Sequence, residues 1–186
     1  MISEPTILFI NTHHKPNHSK KMVTLNYGTA PTPFGLALLG WIETRVCHLV
    51  FCDNEPEIQL RELRARWPAA AGKRDDKAAA KLMIDIFSSP DQDNKIPLLV
   101  QGSSFQIKVW QALLDTNPGQ TISYSRLAQM AGSPQAQRAV GSAMAANPIA
   151  YLIPCHRVIK KCGALGNYGG GTKRKQKILN WEAKTR

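Results

Sequence analysis

The residues of this chain best suited to chemistry are Cys155 and His156, which stand side by side in the run Ile-Pro-Cys-His-Arg-Val. A cysteine thiol has a reference pKa of about 8.5, so little of it is thiolate at neutral pH. A neighbouring imidazole can activate it directly or through a water. The apolar run 150–153 predicts a short buried strand, and Pro154 presets a turn after it. The pair therefore predicts a nucleophile held on a rigid element, and the alternative is a buried structural cysteine.

The second strong feature is the distribution of charge. The chain has 186 residues and a formal net charge of +11, of which residues 1–97 contribute +1 and residues 98–186 contribute +10. An excess of this size in the half that holds Cys155 favours a polyanion partner, nucleic acid above all, over a solvated basic face.

Membrane and export signals are missing from the sequence. The apolar runs fall far short of the ~20 residues of a membrane span, and no signal peptide is recognisable. We therefore expect an intracellular protein with no membrane partner, cytoplasmic and nucleoid-associated if bacterial or nuclear if eukaryotic. The four cysteines are then expected to be free thiols.

The first half predicts a tail followed by a small domain. Residues 1–21 are expected to be an irregular tail, and residues 22–97 an α/β domain. The predicted elements are strands at 34–41 and 46–51, helices at 57–67 and 73–87, and a linker at 88–94. Two sets of residues suggest metal ligands, but no metal is predicted. The tail residues His13, His14 and His18 have no cysteines at a suitable spacing, and Cys47 and Cys52 with the flanking His48 are expected to be core residues of a strand.

Residues 98–186 predict a mostly helical domain. Ser103 and Gln106 form a capping-box pattern at the start of one helix. Ser123 is expected to start a second helix, 124–130, and Ser133 to cap a third with Pro134 at its first position. Helix, glycine-containing turn and helix make a helix-turn-helix outline, which alone is a weak indication of DNA binding.

The third helix and the C-terminal segment hold further candidate residues. Small side chains dominate the third helix, with Arg138 as its only charge, which suits either tight packing or close approach to a groove. Thr172 is expected to cap a last helix running to about Ala183. The cluster 173–175 is expected to contact phosphates. Glu182 is the only acid after Asp115, and the alternative to a site role is a salt bridge with a basic C-terminal residue.

In order and spacing, residues 102–182 resemble the catalytic domain of the O6-alkylguanine-DNA alkyltransferase family, also called methylated-DNA–protein-cysteine methyltransferases. Residues 22–97 resemble the family's N-terminal domain loosely. The resemblance rests on the following motifs: Phe105 to Leu113, Ser123-Tyr124 with Leu127-Ala128, Arg138-Ala139-Val140-Gly141, Asn147-Pro148, Pro154-Cys155-His156-Arg157 and Gly166-Asn167-Tyr168.

The resemblance implies a role for each catalytic residue. Cys155 takes the alkyl group from O6 of guanine, and His156 is the base through a bound water, oriented by Glu182. Asn147 positions this relay, and Tyr124 pushes on the phosphate 3′ to the lesion and is a candidate proton donor to the leaving guanine.

The resemblance also implies the DNA-binding and pocket residues. The third helix enters the minor groove, and Arg138 fills the space of the flipped nucleotide. Ala139, Gly141 and Ser142 approach the groove, while Lys173 and Arg174 supply charge. Met144, Val158, Tyr168 and Gly169 form the base pocket, with backbone groups of Cys155 and Val158 at the base edge. Many members have serine where this chain has Gly169, which implies a roomier pocket without that hydroxyl.

The sequence thus predicts a two-domain α/β fold. A small N-terminal β-sheet with helices precedes a winged-helix-like C-terminal domain that contains the helix-turn-helix and the active-site cysteine. The expected function is irreversible, single-turnover transfer of the alkyl group from O6-alkylguanine, with O4-alkylthymine as a further possible substrate. The expected partner is double-stranded DNA bound by a monomer, without cofactor. The alternatives are a non-enzymatic lesion sensor, which Cys155 argues against, a DNA-binding regulator, and a Cys-His hydrolase, whose histidine normally lies far from its cysteine in sequence.

Overall fold

A computed structural model describes residues 7–11, 23–53, 55–88 and 96–184. Its strands are Ile7–Asn11 (β1), Thr24–Thr32 (β2), Gly35–Ile42 (β3), Arg45–Phe51 (β4), Ala71–Arg74 (β5), Leu98–Gly102 (β6), Ile122–Ser123 (β7) and Val158–Ile159 (β8). Its helices are Pro56–Arg66 (α1), Asp76–Phe87 (α2), Ser104–Leu114 (α3), Tyr124–Met130 (α4), Gln137–Ala145 (α5) and Thr172–Ala183 (α6), and Cys155–Arg157 form a 3₁₀ turn. The α/β fold is as the sequence predicts.

Six strands form one mixed sheet in the order β1-β6-β4-β3-β2-β5. The predicted hairpin is confirmed, since β3 and β4 are antiparallel with Leu39 opposite Leu49. Helix α1 packs closely on this hairpin: a Cβ at Gly40 would lie 2.9 Å from Cδ2 of Leu63. The glycine therefore sets how near α1 comes to the sheet.

The N-terminal half departs from the sequence prediction in two places. Ile7–Asn11 is a strand parallel to β6, where an irregular segment was expected, because its apolar run finds its partner about 90 residues away. Ala71–Arg74 is an edge strand parallel to β2, so α2 begins at Asp76 and not at Lys73, with Asp75 accepting from the N–H of Ala78. The histidine run at 13–18 and most of the predicted linker lie outside the described residues.

The start of the predicted C-terminal domain also belongs to the sheet. Strand β6, Leu98–Gly102, lies between β1 and β4, although the sequence places residue 98 at the beginning of the second domain. Strand β6 is parallel to both β1 and β4, and the domain boundary between residues 97 and 98 stays a prediction.

The helix-turn-helix outline is α4 followed by α5. Ser103 makes the predicted capping box with Gln106, and Ser123 caps α4 by accepting from the N–H of Arg126 (3.1 Å). The third helix starts later than predicted, because residues 133–136 form a turn in which Ser133 accepts from the N–H of Ala136 through its backbone carbonyl. Helix α5 therefore begins at Gln137 without a side-chain cap.

The segment before the cysteine is buried, but it is not the predicted strand. Residues 150–153 form a turn, in which the N–H of Ile153 donates to the carbonyl of Ile149 (3.0 Å) and Tyr151 has φ +69°. A single bridge joins Ile149 to Leu49 of β4. Residues 150–153 are apolar because the rest of the protein packs around this turn. From sequence alone, a buried turn and a buried strand have the same apolar pattern, so the strand prediction was wrong.

One hydrophobic core joins the sheet to the C-terminal helices. Phe34, at the β2–β3 turn, lies against four aromatic rings at centroid distances of 5.7–6.4 Å: Phe51, Phe87, Tyr151 and Trp181. Helix α6 carries Trp181 and begins at Thr172, which is its first residue and not its cap, because Gly171 precedes it with φ +86°. None of the described helices has the length and apolar character needed to cross a membrane.

Candidate active site

Cys155 lies at the start of the 3₁₀ turn, with part of its surface open to a cleft. The N–H of Cys155 donates to the carbonyl of Ile153 (2.8 Å), so the backbone at the cysteine is fixed. The wall on the C-terminal side includes Met144, Ala145, Asn147, Ala150, Tyr168 and the pair Gly169-Gly170. Three of the four predicted pocket residues, Met144, Tyr168 and Gly169, therefore line the cleft that contains the thiol.

Asn147 connects the cysteine to the turn that holds it. Its Nδ2 donates to the carbonyl of Ile153 (2.9 Å) and to Sγ of Cys155 (3.3 Å), and its Oδ1 accepts from the N–H of Ile149 (3.0 Å). All three partners lie in residues 149–155, so one amide stabilises the whole segment and points a donor at the sulfur.

His156 is fully buried on the other side of the turn. Its Nε2 is 2.8 Å from Oε1 of Glu182, and since an ionised carboxylate only accepts, Nε2 carries the hydrogen. Nδ1 then keeps its lone pair, and it has no hydrogen-bond partner among the described residues. Burial lowers the pKa of His156, against the opposing effect of Glu182, so the ring is neutral and able to accept a proton.

Arg157 is the functional residue that the sequence reasoning missed. Its Nε is 3.1 and 3.2 Å from the two oxygens of Glu182, its Nη2 is 2.8 Å from Oε1, and its Nη1 donates to the carbonyl and hydroxyl of Thr116. The N–H of Gly119 also donates to Glu182 Oε2 (3.0 Å). The signal was an arginine inside an apolar segment directly after the histidine, because a buried guanidinium requires a buried acid.

These donors determine the ionisation of Glu182. Burial alone would raise its pKa, but the hydrogen bonds and positive charge from His156 and Arg157 outweigh burial and lower the pKa to about 2. Glu182 is therefore ionised at neutral pH. It forms an ion pair with the internal Arg157 (2.8 Å), while the C-terminal Arg186 lies outside the described residues.

The resting thiol needs a base. Burial raises the pKa of Cys155, while the amide of Asn147 and the positive charge of Lys175 act in the opposite direction. Because the net direction is upward, the sulfur is protonated at neutral pH. A neutral imidazole in the adjacent residue is the group suited to accept its proton.

Lys175 corrects the prediction that residues 173–175 form a phosphate-contacting cluster. It is fully buried, and its Nζ donates to the carbonyl of Val158 (2.5 Å) and to that of Leu165. Arg174 donates to Asp53 and to the carbonyl of Phe34 (2.8 Å), and it lies over the ring of Phe51. Only Lys173 of the three is exposed.

The backbone groups predicted to face the base edge already have partners in the protein. The N–H of Cys155 is bonded to Ile153, and the N–H of Val158 donates to the carbonyl of Cys155. The carbonyl of Val158 accepts from Lys175 (2.5 Å) and has one further lone pair. Val158 itself is buried, because β8 pairs with β7 behind the turn.

Two tyrosines lie near enough to Cys155 to be affected by its charge. Burial and the nearby Cys155 raise the pKa of Tyr124, at the start of α4, and raise that of Tyr168 well above its ordinary value. Both phenols are therefore protonated and able to donate. The hydroxyl of Tyr168 is buried without a hydrogen-bond partner among the described residues.

Helix α5 presents the predicted DNA-contacting residues on one surface. Arg138, Ala139 and Ser142 are exposed, and Gly141 is partly exposed. Val140 and Met144 are buried on the other face, where α5 packs on α3 and α4. The exposed face is therefore made of small side chains with one long cation.

The remaining cysteines are not part of this site. All four cysteines are free thiols, with Cys47 and Cys52 buried and Cys162 exposed. Burial raises the pKa of Cys47 to about 12 and lowers that of the adjacent His48 to about 3, as expected of neutral core residues. In the described part of the chain, no three metal-ligating side chains converge.

Comparisons with known proteins give one consistent result. The model of the 6-O-methylguanine DNA methyltransferase DNA-binding domain matches residues 104–184. The chain is 36% identical to the bifunctional transcriptional activator/DNA repair enzyme Ada of Escherichia coli, over 89% of this chain and 48% of Ada, so it spans about half the length of that relative. It is 48% identical to the methylated-DNA–protein-cysteine methyltransferase of Mycobacterium bovis, over 85% of this chain and 92% of that protein. A crystal structure of Mycobacterium tuberculosis OGT in complex with DNA superposes with a TM-score of 0.70, at 32% identity, over 86% of this chain and 93% of that one.

Proposed function

Because the chain belongs to the methylated-DNA–protein-cysteine methyltransferase family, we propose that it repairs DNA by moving the alkyl group of O6-alkylguanine irreversibly onto Cys155. The observation that supports this most is the arrangement around the thiol. A partly open Cys155 accepts from Asn147 (3.3 Å), and the next residue is a neutral, buried histidine oriented by an ionised glutamate (2.8 Å). A nucleophile, a base and an orienting acid are the groups that such a transfer requires.

The chemical step is a displacement at the alkyl carbon. The Cys155 proton passes to Nδ1 of His156 through a water, and the thiolate forms a bond to the carbon as the bond from that carbon to O6 breaks. The electron pair stays on guanine, which is neutralised by a proton from a donor such as the Tyr124 hydroxyl. The product is a thioether. No group in the site is suited to cleave it, so each molecule acts once.

The ion pair between Arg157 and Glu182 sets both the tautomer and the neutral charge of His156. It holds Glu182 ionised, and this fixes the hydrogen of His156 on Nε2 and leaves Nδ1 as the acceptor. It also offsets the charge of Glu182, so the imidazole stays neutral in the resting protein and is free to take the thiol proton.

Access to the lesion requires base flipping, because O6 is enclosed within the duplex. We place α5 in the minor groove. Its exposed Ala139, Gly141 and Ser142 permit close approach, and Arg138 occupies the space of the extruded nucleotide. Lys173 contacts phosphate, while Arg174 is committed to Asp53 and Phe34. The partner is double-stranded DNA, bound by a monomer.

The direct test is intact mass after incubation with a duplex that contains one O6-methylguanine. We expect a gain of one methylene per protein molecule, located on the Cys155 peptide and saturating at one equivalent. Cys155→Ala should abolish the gain and retain DNA binding. Cys162→Ala is the matched control, since that cysteine is exposed and is not among the residues that line the cleft, and it should behave as wild type. A bound but unaltered lesion with wild-type protein would support the sensor alternative instead.

A further inference from the structure

The cleft above Cys155 is completed by the N-terminal domain. Its far wall is formed by Val50 and Phe51 of β4 and by Gln59 and Glu62 of α1. Positions 59 and 62 are three residues apart, so they share one face of the helix. The buried Leu60 and Leu63 hold the helix against the sheet, which keeps the polar pair directed at the cleft.

Gly169 and Gly170 also line the cleft, and without side chains they leave space in it. A Cβ at Gly169 would meet nothing within 4 Å. A Cβ at Gly170 would lie 2.8 Å from Cε1 of Tyr168 and 3.2 Å from the ring of Phe51, so a side chain at this position would clash. The sulfur attacks the carbon attached to O6, and the rest of a longer substituent must extend away from it. Gly169 lines the same cleft as Gln59 and Glu62 of α1, so the open space beside this glycine is available to that substituent.

Glu62 dominates the electrostatics of this part of the cleft. Among the described side chains that line it, Glu62 is the only one charged at neutral pH. The basic residue one turn on, Arg66, is influenced by the charge of Glu62, but it directs its Nη1 to the carbonyl of Gln101 (3.4 Å). Arg174 is paired with Asp53 and donates to the carbonyl of Gly170, and the buried Lys175 donates to the carbonyl of Val158. The outer end of a substituent therefore meets a carboxylate.

We propose that Glu62, assisted by Gln59, selects the alkyl group by charge: substituents with a neutral polar or cationic end are transferred, and those with an anionic end are disfavoured. This inference rests on the proposed alkyl transfer and adds its substrate class. Gln59 can donate to or accept from a hydroxyl or amine, and Glu62 attracts a cation and repels a carboxylate. The C-terminal half is positive overall, so a negative side chain at this cleft would select substituents differently from the rest of the DNA-binding surface.

The test compares single-turnover transfer rates from three duplexes that contain O6-methylguanine, O6-carboxymethylguanine or O6-(2-aminoethyl)guanine. The readout is each rate divided by the methyl rate of the same protein, so a general loss of activity cancels. We expect Glu62→Gln to raise the carboxymethyl ratio and lower the aminoethyl ratio, each about three- to fivefold, as for one pair of partly exposed charges. Gln59→Glu should shift both ratios in the opposite direction.

Glu57→Gln is the matched control, because it removes the same charge from the same helix. Glu57 lies at another cleft, beside Tyr27 and Leu60, so its variant should keep the wild-type ratios. Unchanged ratios in Glu62→Gln, or equal changes in Glu57→Gln, would overturn the inference while methyl transfer stands. Failure of wild-type protein to transfer even the methyl group would instead refute the proposed function.

Discussion

At the scale of residues, the buried ion pair between Arg157 and Glu182 links the proposed catalysis to stability. Glu182 accepts from His156, Arg157 and the N–H of Gly119, and its side chain is 1% exposed. Removing one partner of such a pair leaves an uncompensated buried charge, which costs about 3–5 kcal/mol. The same residue that orients the base therefore also holds the C-terminal helix to the α3–β7 segment.

This pair predicts acid sensitivity. The pKa of Glu182 is lowered to about 2, below the ordinary carboxyl value, so its contribution is fully present above about pH 4.5 and is lost as the pH falls towards 2. The shift corresponds to about 3 kcal/mol of unfolding free energy at pH 7, roughly half or more of which is lost by pH 3.

Urea unfolding of wild type and Glu182→Gln at pH 7, 5 and 3 measures this contribution. The gap in unfolding free energy between the two proteins should narrow by about 2 kcal/mol from pH 7 to pH 3. Asp115→Asn is the control, since Asp115 is the only other acid of residues 98–186 and is exposed at the end of α3. A gap that stays constant with pH would contradict the assignment.

At the scale of elements, the glycine-rich loop positions Tyr124. Gly166 has φ +71°, and a Cβ there would lie 3.1 Å from the Tyr124 hydroxyl. Gly163, in the same loop, has φ +86° and open space around it. The two positions therefore impose similar backbone strain on an alanine, and only one of them displaces the tyrosine.

We expect Gly166→Ala to slow alkyl transfer from duplex DNA about tenfold, because it moves the donor hydroxyl by several tenths of an ångström or more. Both Gly166→Ala and Gly163→Ala should lose about 1 kcal/mol or more of unfolding free energy from the left-handed backbone. Single-turnover rates and denaturant midpoints measured on both variants separate the two effects. Equal rates in the two variants would show that the loop does not position Tyr124.

At the scale of the whole molecule, the aromatic cluster around Phe34 joins the sheet to the catalytic segment. Phe34 contacts Tyr151, whose ring stacks on that of His156 at 5.9 Å with an interplanar angle of 12°. It also contacts Trp181, next to Glu182 in α6. Packing in the N-terminal half thus supports both members of the base and acid pair.

Phe34→Ala should cost about 3–5 kcal/mol of unfolding free energy, the usual effect of removing a buried aromatic ring. It should also slow alkyl transfer at temperatures where the variant remains folded, because the support behind His156 is lost. Denaturant unfolding together with single-turnover rates provides the measurement. Ile84→Ala, at a side chain with 70% exposure, is the control and should change neither quantity by a measurable amount. A full transfer rate in folded Phe34→Ala would show that the two halves are not coupled.

Local patterns in the chain were sufficient for several elements. The β3–β4 hairpin, the capping box of α3 and the serine cap of α4 are encoded within a few residues, and all three appear as predicted. The adjacent Cys155 and His156 indicated a candidate nucleophile and base for the same reason, whereas the role of Glu182 came only from the family resemblance. Caps and hairpins depend on the types and spacing of neighbouring residues, so they can be predicted without knowing the tertiary structure.

What the sequence by itself determined is therefore the α/β character and the adjacency of Cys155 and His156, while the chemistry expected of that pair stays a prediction. Only the tertiary structure decided that Ile7–Asn11 completes the sheet, that residues 150–153 form a buried turn, and that Lys175 lies inside the protein. It alone brought Arg157 to Glu182, 25 residues away, and α1 to the cleft. The reason is that burial and pairing depend on partners distant in sequence, and an apolar run or a basic residue has the same local pattern whichever partner it meets.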